Sequence, residues 1–257
     1  MDASVALDAP IFARHGAQWQ PAPEAAGPFG GLHGGAVSGL IVAEMEREGT
    51  ERGLGLLLSA AVVLLRPAPM APLETRTELL RKGGRAGALE TLLTAGGKLI
   101  AKGMGSFVAP TPVADTPAEP PLPAAPDTLP PWPLKLRFAH RTLFDALDLR
   151  IDAEGRVWGR LMRPLVPFAS AMANAFAVAD NGQPFALGGR HDLLRRFTFP
   201  NIDIALHLSR PPMGGWIGVK ARSDWRPDGM GLTESELCDE MGPLGRCCQT
   251  IVLMPRG

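Results

Sequence analysis

Ser59-Ala-Ala-Val-Val-Leu-Leu-Arg66-Pro67-Ala68-Pro69 is an apolar run halted by arginine and proline. Ile202-Asp-Ile-Ala-Leu-His-Leu-Ser-Arg210-Pro211-Pro212 is halted in the same way. Each reads as a strand, because β-branched and leucine residues favour a pleated surface and proline removes the donor that would continue the ladder. Each follows a helical run of small residues: Gly34-Gly-Ala-Val-Ser-Gly-Leu-Ile-Val-Ala-Glu44 in the first case, Ala169-Ser-Ala-Met-Ala-Asn-Ala-Phe-Ala-Val-Ala-Asp180 in the second. Each is followed by further hydrophobic strands joined by glycine turns. The offset between Arg66 and Arg210 is the length of a domain, far beyond a solenoid repeat. One fold has been duplicated and fused.

The rest of the chain agrees with two units. Its 257 residues hold two cores of ordinary domain size. Residues 109–133 are dense in proline and read as a semi-stiff linker between a first repeat, 1–108, and a second, 134–257. In the first repeat a helix is expected over 36–47, ended by Glu48-Gly49, then strands over 55–65, 73–81, 88–94 and 98–108. The turns are Lys82-Gly83-Gly84-Arg85 and Gly96-Gly97. In the second repeat, 138–146 and 157–163 open as strands or short helix and a helix spans 167–179. Strands follow over 197–208, 216–224, 231–238 and 245–253. A helix followed by an antiparallel meander is an α+β pattern. The second helix is apolar on all sides and should be buried.

Lys plus Arg and Asp plus Glu each number 26, so no overall field favours nucleic acid or an anionic membrane. No apolar run reaches the length of a membrane span. The first ten residues lack the basic and apolar regions of a secretory leader. Three cysteines, Cys238 and the adjacent Cys247 and Cys248, form no disulfide framework and suit a reducing cytoplasm. No ligand spacing implies a metal, and no motif implies a cofactor.

The chain resembles the hotdog-fold thioesterases, specifically the double-hotdog, type II acyl-CoA thioesterase-like group. The residues that carry the likeness are His33-Gly34-Gly35, Ala179-Asp180, Phe199-Pro200-Asn201-Ile202-Asp203, His207 to Pro211, and Arg246-Cys-Cys-Gln249-Thr250. The resemblance implies a tandem hotdog in which two antiparallel sheets each wrap a central helix. It implies hydrolysis of an acyl-CoA by a water held between Asp180, Asn201 and Gln249. The family more often has a hydroxyl residue where Asn201 stands; an amide can hydrogen-bond a water but cannot share a proton as a hydroxyl does. Backbone N–H groups at a helix start can bind the thioester oxygen, and glycine allows close approach, so His33, Gly34 and Gly35 are the candidate oxyanion and substrate-binding residues. Edge-to-edge pairing of hotdog sheets is also compatible with a homodimer.

The two halves differ. Nine residues after His33 stands Val42, where smaller hotdog enzymes have an acid, and Glu44 lies about 200° further around the helix. The second helix ends in Asp180 but has no glycine entrance. The expectation is therefore one site shared between the halves. Simpler readings stand beside several candidates. Asp180 could merely end a helix before the turn Asn181-Gly182. Asp203 could support the site or pair with an arginine. Arg66 and Arg210, matched in both repeats, read as structural. Arg190, His191, Arg195 and Arg196 could meet the phosphates of coenzyme A, but such a cluster more often marks a solvated face. Cys247 and Cys248 lack the neighbours that activate a thiol. The alternative function is a non-catalytic hotdog protein that binds acyl-CoA or a lipid-like ligand. Hydration or dehydration of enoyl thioesters ranks last, since no Asp and His stand about five residues apart near a helix start.

Overall fold

A computed structural model describes residues 9–115, 125–133, 138–188 and 190–256. The leaderless start expected at residues 1–8 and the middle of the proline-rich linker, 116–124, lie outside the described residues. The first half contains β1 (Phe12–His15), β2 (Gln18–Pro21), α1 (Gly34–Glu51), β3 (Leu56–Leu64), β4 (Leu73–Lys82), β5 (Ala86–Ala95) and β6 (Lys98–Val108). The second half opens with β7 (Leu147–Ile151), β8 (Val157–Leu161), α2 (Ala171–Ala179), α3 (Gly182–Leu187) and α4 (His191–Arg196). It closes with β9 (Phe197–Thr198), β10 (Asp203–Leu208), β11 (Ile217–Trp225), β12 (Met230–Asp239), β13 (Gly242–Val252) and β14 (Met254–Pro255).

The two sheets expected from the sequence are one. Twelve strands run in the order β1-β2-β4-β5-β6-β3-β10-β13-β12-β11-β8-β7, and β9 pairs separately with β14. The join is made by the two strands that end in Arg-Pro: β3 and β10 pair antiparallel with Ala61 opposite Ala205 and Ser59 opposite His207. Either strand alone would leave a row of unpaired backbone groups, and pairing the edges removes both rows. The order reads the same outward from this seam, with β6 and β13, β5 and β12, and β4 and β11 in matching places. Arg66 donates to Leu99 O at 2.6 Å, and Arg210 grips Asp239 at 2.6 and 2.7 Å. Each arginine thus ties its strand end to the hairpin of the adjoining strand, as a matched structural role requires.

Both helices lie on the inner face of this sheet, against each other. Added methyl groups at Gly35 and Gly39 would collide with Ala177 and with Leu165 and Ala173, so the helices touch through their smallest residues. Helix α1 is longer than its sequence pattern suggests. Gly49 does not end it, because Phe107 occupies the place of a Gly49 side chain. Arg52 is the C-cap, and Gly53 follows with φ +65°. Helix α2 starts later than expected. Ser170 is its N-cap and accepts the Ala173 N–H at 3.1 Å. A carboxylate from α1 assists: Glu46 Oε2 accepts from Ser170 Oγ and from Met172 N at 3.3 Å. Strands β1, β2 and β7 and helices α3 and α4 were not anticipated. They are too short for a periodic signal. No helix among the described residues is long and apolar enough to cross a membrane.

Candidate active site

The seam and the helix pair converge on one carboxylate. Asp180 is the C-cap of α2, so ending the helix is part of its role, but its side chain turns inward and is 3% exposed. Asn201 Nδ2 donates to Asp180 Oδ1 at 2.7 Å, and Gln249 Nε2, from β13, donates to the same oxygen at 3.0 Å. Gln249 Nε2 also reaches the Asp180 carbonyl at 3.2 Å. On the other side, His33 Nδ1 lies 3.1 Å from Asp180 Oδ2. One carboxylate is thus held by side chains from both halves, as a charge taken from water must be.

His33 is also the N-cap of α1, its Nδ1 accepting the Gly35 N–H at 3.0 Å. A single ring nitrogen cannot accept there and donate to Asp180 at once. With Nδ1 bare, His33 caps α1. With Nδ1 protonated, it donates to Asp180 and releases the Gly35 N–H. The ring is 7% exposed and meets Phe144 edge-on at 5.9 Å.

The paired glycines are not equivalent. An added methyl at Gly34 would come within 3.0 Å of Asp180 Oδ2 and 3.2 Å of Asn201 Oδ1, so Gly34 borders the polar groups. Among the described residues its N–H donates to no protein acceptor. One at Gly35 would meet Asp180 Cβ and Ala177, so Gly35 is small because α2 passes close by.

Behind Asp180 the interior is polar. Gln249 Oε1, Ser235 Oγ, Gln183 Nε2 and Asn181 Oδ1 are buried without a protein partner. Gly182 opens space beside two of them, since a methyl there would be 3.0 Å from Ser235 Oγ and 3.1 Å from Gln249 Oε1. The Gln183 carbonyl oxygen accepts from Ser223 Oγ at 3.0 Å and Trp225 Nε1 at 3.1 Å. Of these, Gln249 was a candidate from the sequence and Asn181 was read only as a turn residue; Gln183, Ser223 and Ser235 escaped the sequence reading. Thr233 and Ser235 alternate on β12 with outward Glu234 and Glu236, and that alternation was the available signal.

Other candidates lie elsewhere. Glu44 faces away, 3.1 Å from Arg47 and 4.0 Å from Arg14. Asp203 neither enters the site nor meets an arginine: it accepts from Thr250 N at 2.7 Å and Thr250 Oγ1 at 3.2 Å across the strand pair. Burial, and then the Asp180 carboxylate, holds the buried Cys247 thiol well above the usual thiol range, which disfavours a thiolate. Burial likewise pushes Cys238 up to about 11. Among the described residues no three His, Cys, Asp or Glu side chains are placed to hold a metal ion. Arg190, Arg195 and Arg196 are exposed, and the side chain of His191 lies outside the described residues.

A run of aromatic rings reaches Phe199, two residues before Asn201. Phe29 and Phe199 meet at 5.3 Å, Phe199 and Trp225 at 5.8 Å, and Phe197 and Trp225 at 5.9 Å. Their sequence positions are scattered, so only the fold assembles them.

Comparison with known proteins follows the same outline. Among curated protein sequences nothing matches the chain significantly. Among solved structures, a protein of Novosphingobium aromaticivorans described as a thioesterase has a TM-score of 0.73 at 20% identity, covering 95% of this chain and 99% of its own. A hot dog fold protein of Alicyclobacillus acidocaldarius has a TM-score of 0.72 at 16% identity, covering 96% of each chain. The acyl-CoA thioesterase II TesB2 of Mycobacterium marinum has a TM-score of 0.68 at 17% identity, covering 94% of this chain and 93% of its own. At such identities the likeness establishes the hotdog fold. The family models are more specific: the acyl-CoA thioesterase N-terminal domain matches residues 22–108 and the C-terminal domain matches residues 112–253. With nearly the whole chain matched, the protein belongs to the acyl-CoA thioesterase family.

Proposed function

We propose that this chain is a double-hotdog acyl-CoA thioesterase whose repeats, 1–108 and 134–257, are joined by the segment 109–133 and share one site. The observation that carries this reading is the Asp180 carboxylate, bound at Oδ1 by Asn201 and Gln249 and faced at Oδ2 by His33. Asp180 accepts a proton from a water that attacks the thioester carbonyl carbon. The two amides keep Oδ1 occupied, so the lone pairs of Oδ2 remain for that proton. The partnerless Gln249 Oε1 and the Asn201 amide oxygen beside Gly34 are acceptors that can orient the water's second hydrogen.

The carbonyl oxygen gains negative charge as the C–O bond forms. The Gly34 N–H, at the positive end of an 18-residue helix, suits that charge. His33 adds a second donor by exchange: when its Nδ1 carries a proton and turns to Asp180, the Gly35 N–H is freed beside that of Gly34. Collapse breaks the C–S bond, and the thiolate leaves with the proton held by Asp180. The products are a free acid and coenzyme A.

The test is thiol release across short, medium, long and aromatic acyl-CoAs. Asp180→Asn should lower kcat by about 10²–10⁴-fold, the usual contribution of a general base. Full activity in that variant overturns the reading. Binding of acyl-CoA without turnover in the wild type favours the non-catalytic alternative.

A further inference from the structure

An arginine cluster stands at the outer end of the aromatic shelf. Arg256, just past β14, donates its backbone N–H to Arg196 O at 2.8 Å and its Nε to Phe197 O at 3.1 Å. The chain's last strand therefore brings Arg256 beside the end of α4. The Arg196 guanidinium lies 5.3 Å over Phe197, and that of Arg256 lies 5.7 Å over Phe29. Arg195 adjoins them, and all three are exposed.

Ring contacts together with unpaired charge mark this cluster. Arg47, Arg52, Arg150, Arg163, Arg210 and Arg246 meet carboxylates, whereas among the described residues Arg66, Arg81, Arg85 and Arg190 share the lack of an ion pair without standing on an aromatic shelf. Among the described residues Arg195, Arg196 and Arg256 form no ion pair, not even with Asp192 on α4. In a chain of formal net charge +0 they make a local positive field. The ring contacts position two of the guanidinium groups; Arg256 Nε is taken up by the Phe197 carbonyl, and the terminal N–H groups of both remain for phosphate.

The shelf points from the cluster to the chemistry. Phe197, Phe199 and Trp225 touch in sequence, Phe29 packs on Phe199, and Phe199 is two residues from Asn201. Four residues of extended chain from Phe197 to Asn201 span at most about 13 Å. A pantetheine arm bridges a distance of that order between a thioester and the first phosphate. We propose that Arg195, Arg196 and Arg256 bind the phosphates of the nucleotide head of coenzyme A, with the pantetheine arm lying along the aromatic shelf toward Asp180. This rests on the thioesterase reading of the Asp180 site.

The experiment uses the whole chain and separates carrier recognition from chemistry. Affinities for coenzyme A, dephospho-coenzyme A and pantetheine are measured by calorimetry, alongside hydrolysis of one acyl group carried on coenzyme A and on pantetheine. The Arg196→Gln, Arg256→Gln double variant should weaken coenzyme A binding and raise the KM for acyl-CoA at least tenfold. For acyl-pantetheine the change should stay under twofold. Arg195→Gln should act in the same direction; its exposed side chain makes no hydrogen bond, ion pair or ring contact among the described residues, so the variant should keep a urea midpoint close to that of the wild type. Wild-type affinity for coenzyme A should fall as salt rises. Equal losses on both substrates, or none on either, overturn the proposal. If the wild type hydrolyses nothing yet loses coenzyme A binding in these variants, the hydrolase reading fails and the phosphate site stands.

Discussion

A methyl group added at Gly34 would stand 3.0 Å from Asp180 Oδ2, whereas one added at Gly35 would meet Asp180 Cβ at 2.8 Å and the Ala177 carbonyl oxygen at 3.1 Å. The first contact is with a side-chain oxygen that faces His33, and a side chain can yield by a few tenths of an ångström. The second is with a β-carbon and a backbone oxygen, which cannot. Helix propensity favours alanine over glycine by up to about 1 kcal/mol inside a helix and by less in its first turn, where both residues stand. At Gly34 that gain survives, so Gly34→Ala should leave Tm unchanged or higher while disturbing Asp180 and the adjoining N–H. Its kcat should fall about 10²-fold, the scale of a lost oxyanion donor. At Gly35 overpacking wins, and Gly35→Ala should lose about 1–3 kcal/mol in urea unfolding. The string His-Gly-Gly was legible as a candidate site signature. The division of labour between its glycines was not, because it depends on which way each faces once α2 is in place.

Between elements, the contact of most consequence outside the site is the carboxylate of α1 that caps α2. Burial holds the Glu46 carboxyl above its ordinary value, against the hydrogen bonds from Ser170 and the Met172 N–H, which lower it. A folded-state pKa above the unfolded one means that the native state binds the proton more tightly. The stability tied to Glu46 is therefore fully present below about pH 4.5 and is lost as pH rises through the folded value. Glu46→Gln cannot titrate, so the stability of the wild type relative to this variant should decline from pH 4 toward neutrality, followed by urea midpoints. Ser170→Ala removes the cap itself and should cost about 1 kcal/mol. The sequence placed this helix correctly but started it at 167. An N-cap completed by a side chain more than a hundred residues away leaves no local trace.

In the whole molecule the halves interlock. Beyond the β3–β10 seam, the Ile11 and Phe12 N–H groups bond Pro164 O at 2.9 Å and Leu165 O at 2.8 Å, tying the N-terminal strand to the second half. Glu24 joins Arg141 at 2.8 Å and Arg163 at 3.2 Å, both from the other half. Burial raises the Glu24 carboxyl, but its backbone hydrogen bond and the two arginines outweigh this and hold it below the ordinary range. The sign is opposite to that of Glu46: Glu24 contributes stability above its unfolded value, and that contribution disappears as pH falls through the folded one. Glu24→Gln should lose about 1–3 kcal/mol at neutral pH. The difference from wild type should shrink on acidification, read by the same unfolding series. With seam, helix pair and arm all shared, unfolding should follow one transition, and fluorescence and far-ultraviolet dichroism should coincide.

Composition, the duplicated Arg-Pro strand endings and the apolar second helix were enough to determine the fold class, the duplication and most of the strands. These are properties of local pattern: periodicity, turn chemistry and proline placement act within a few residues. What only the tertiary structure decided is how the copies meet. It merged two sheets into one by pairing the two quoted strands, and set Gly35 and Gly39 against Ala173 and Ala177. It also closed His33, Asp180, Asn201 and Gln249 to within hydrogen-bond reach. Contacts between residues far apart in the chain depend on edge pairing and on packing at the scale of a single methyl group, and neither is written in any one segment.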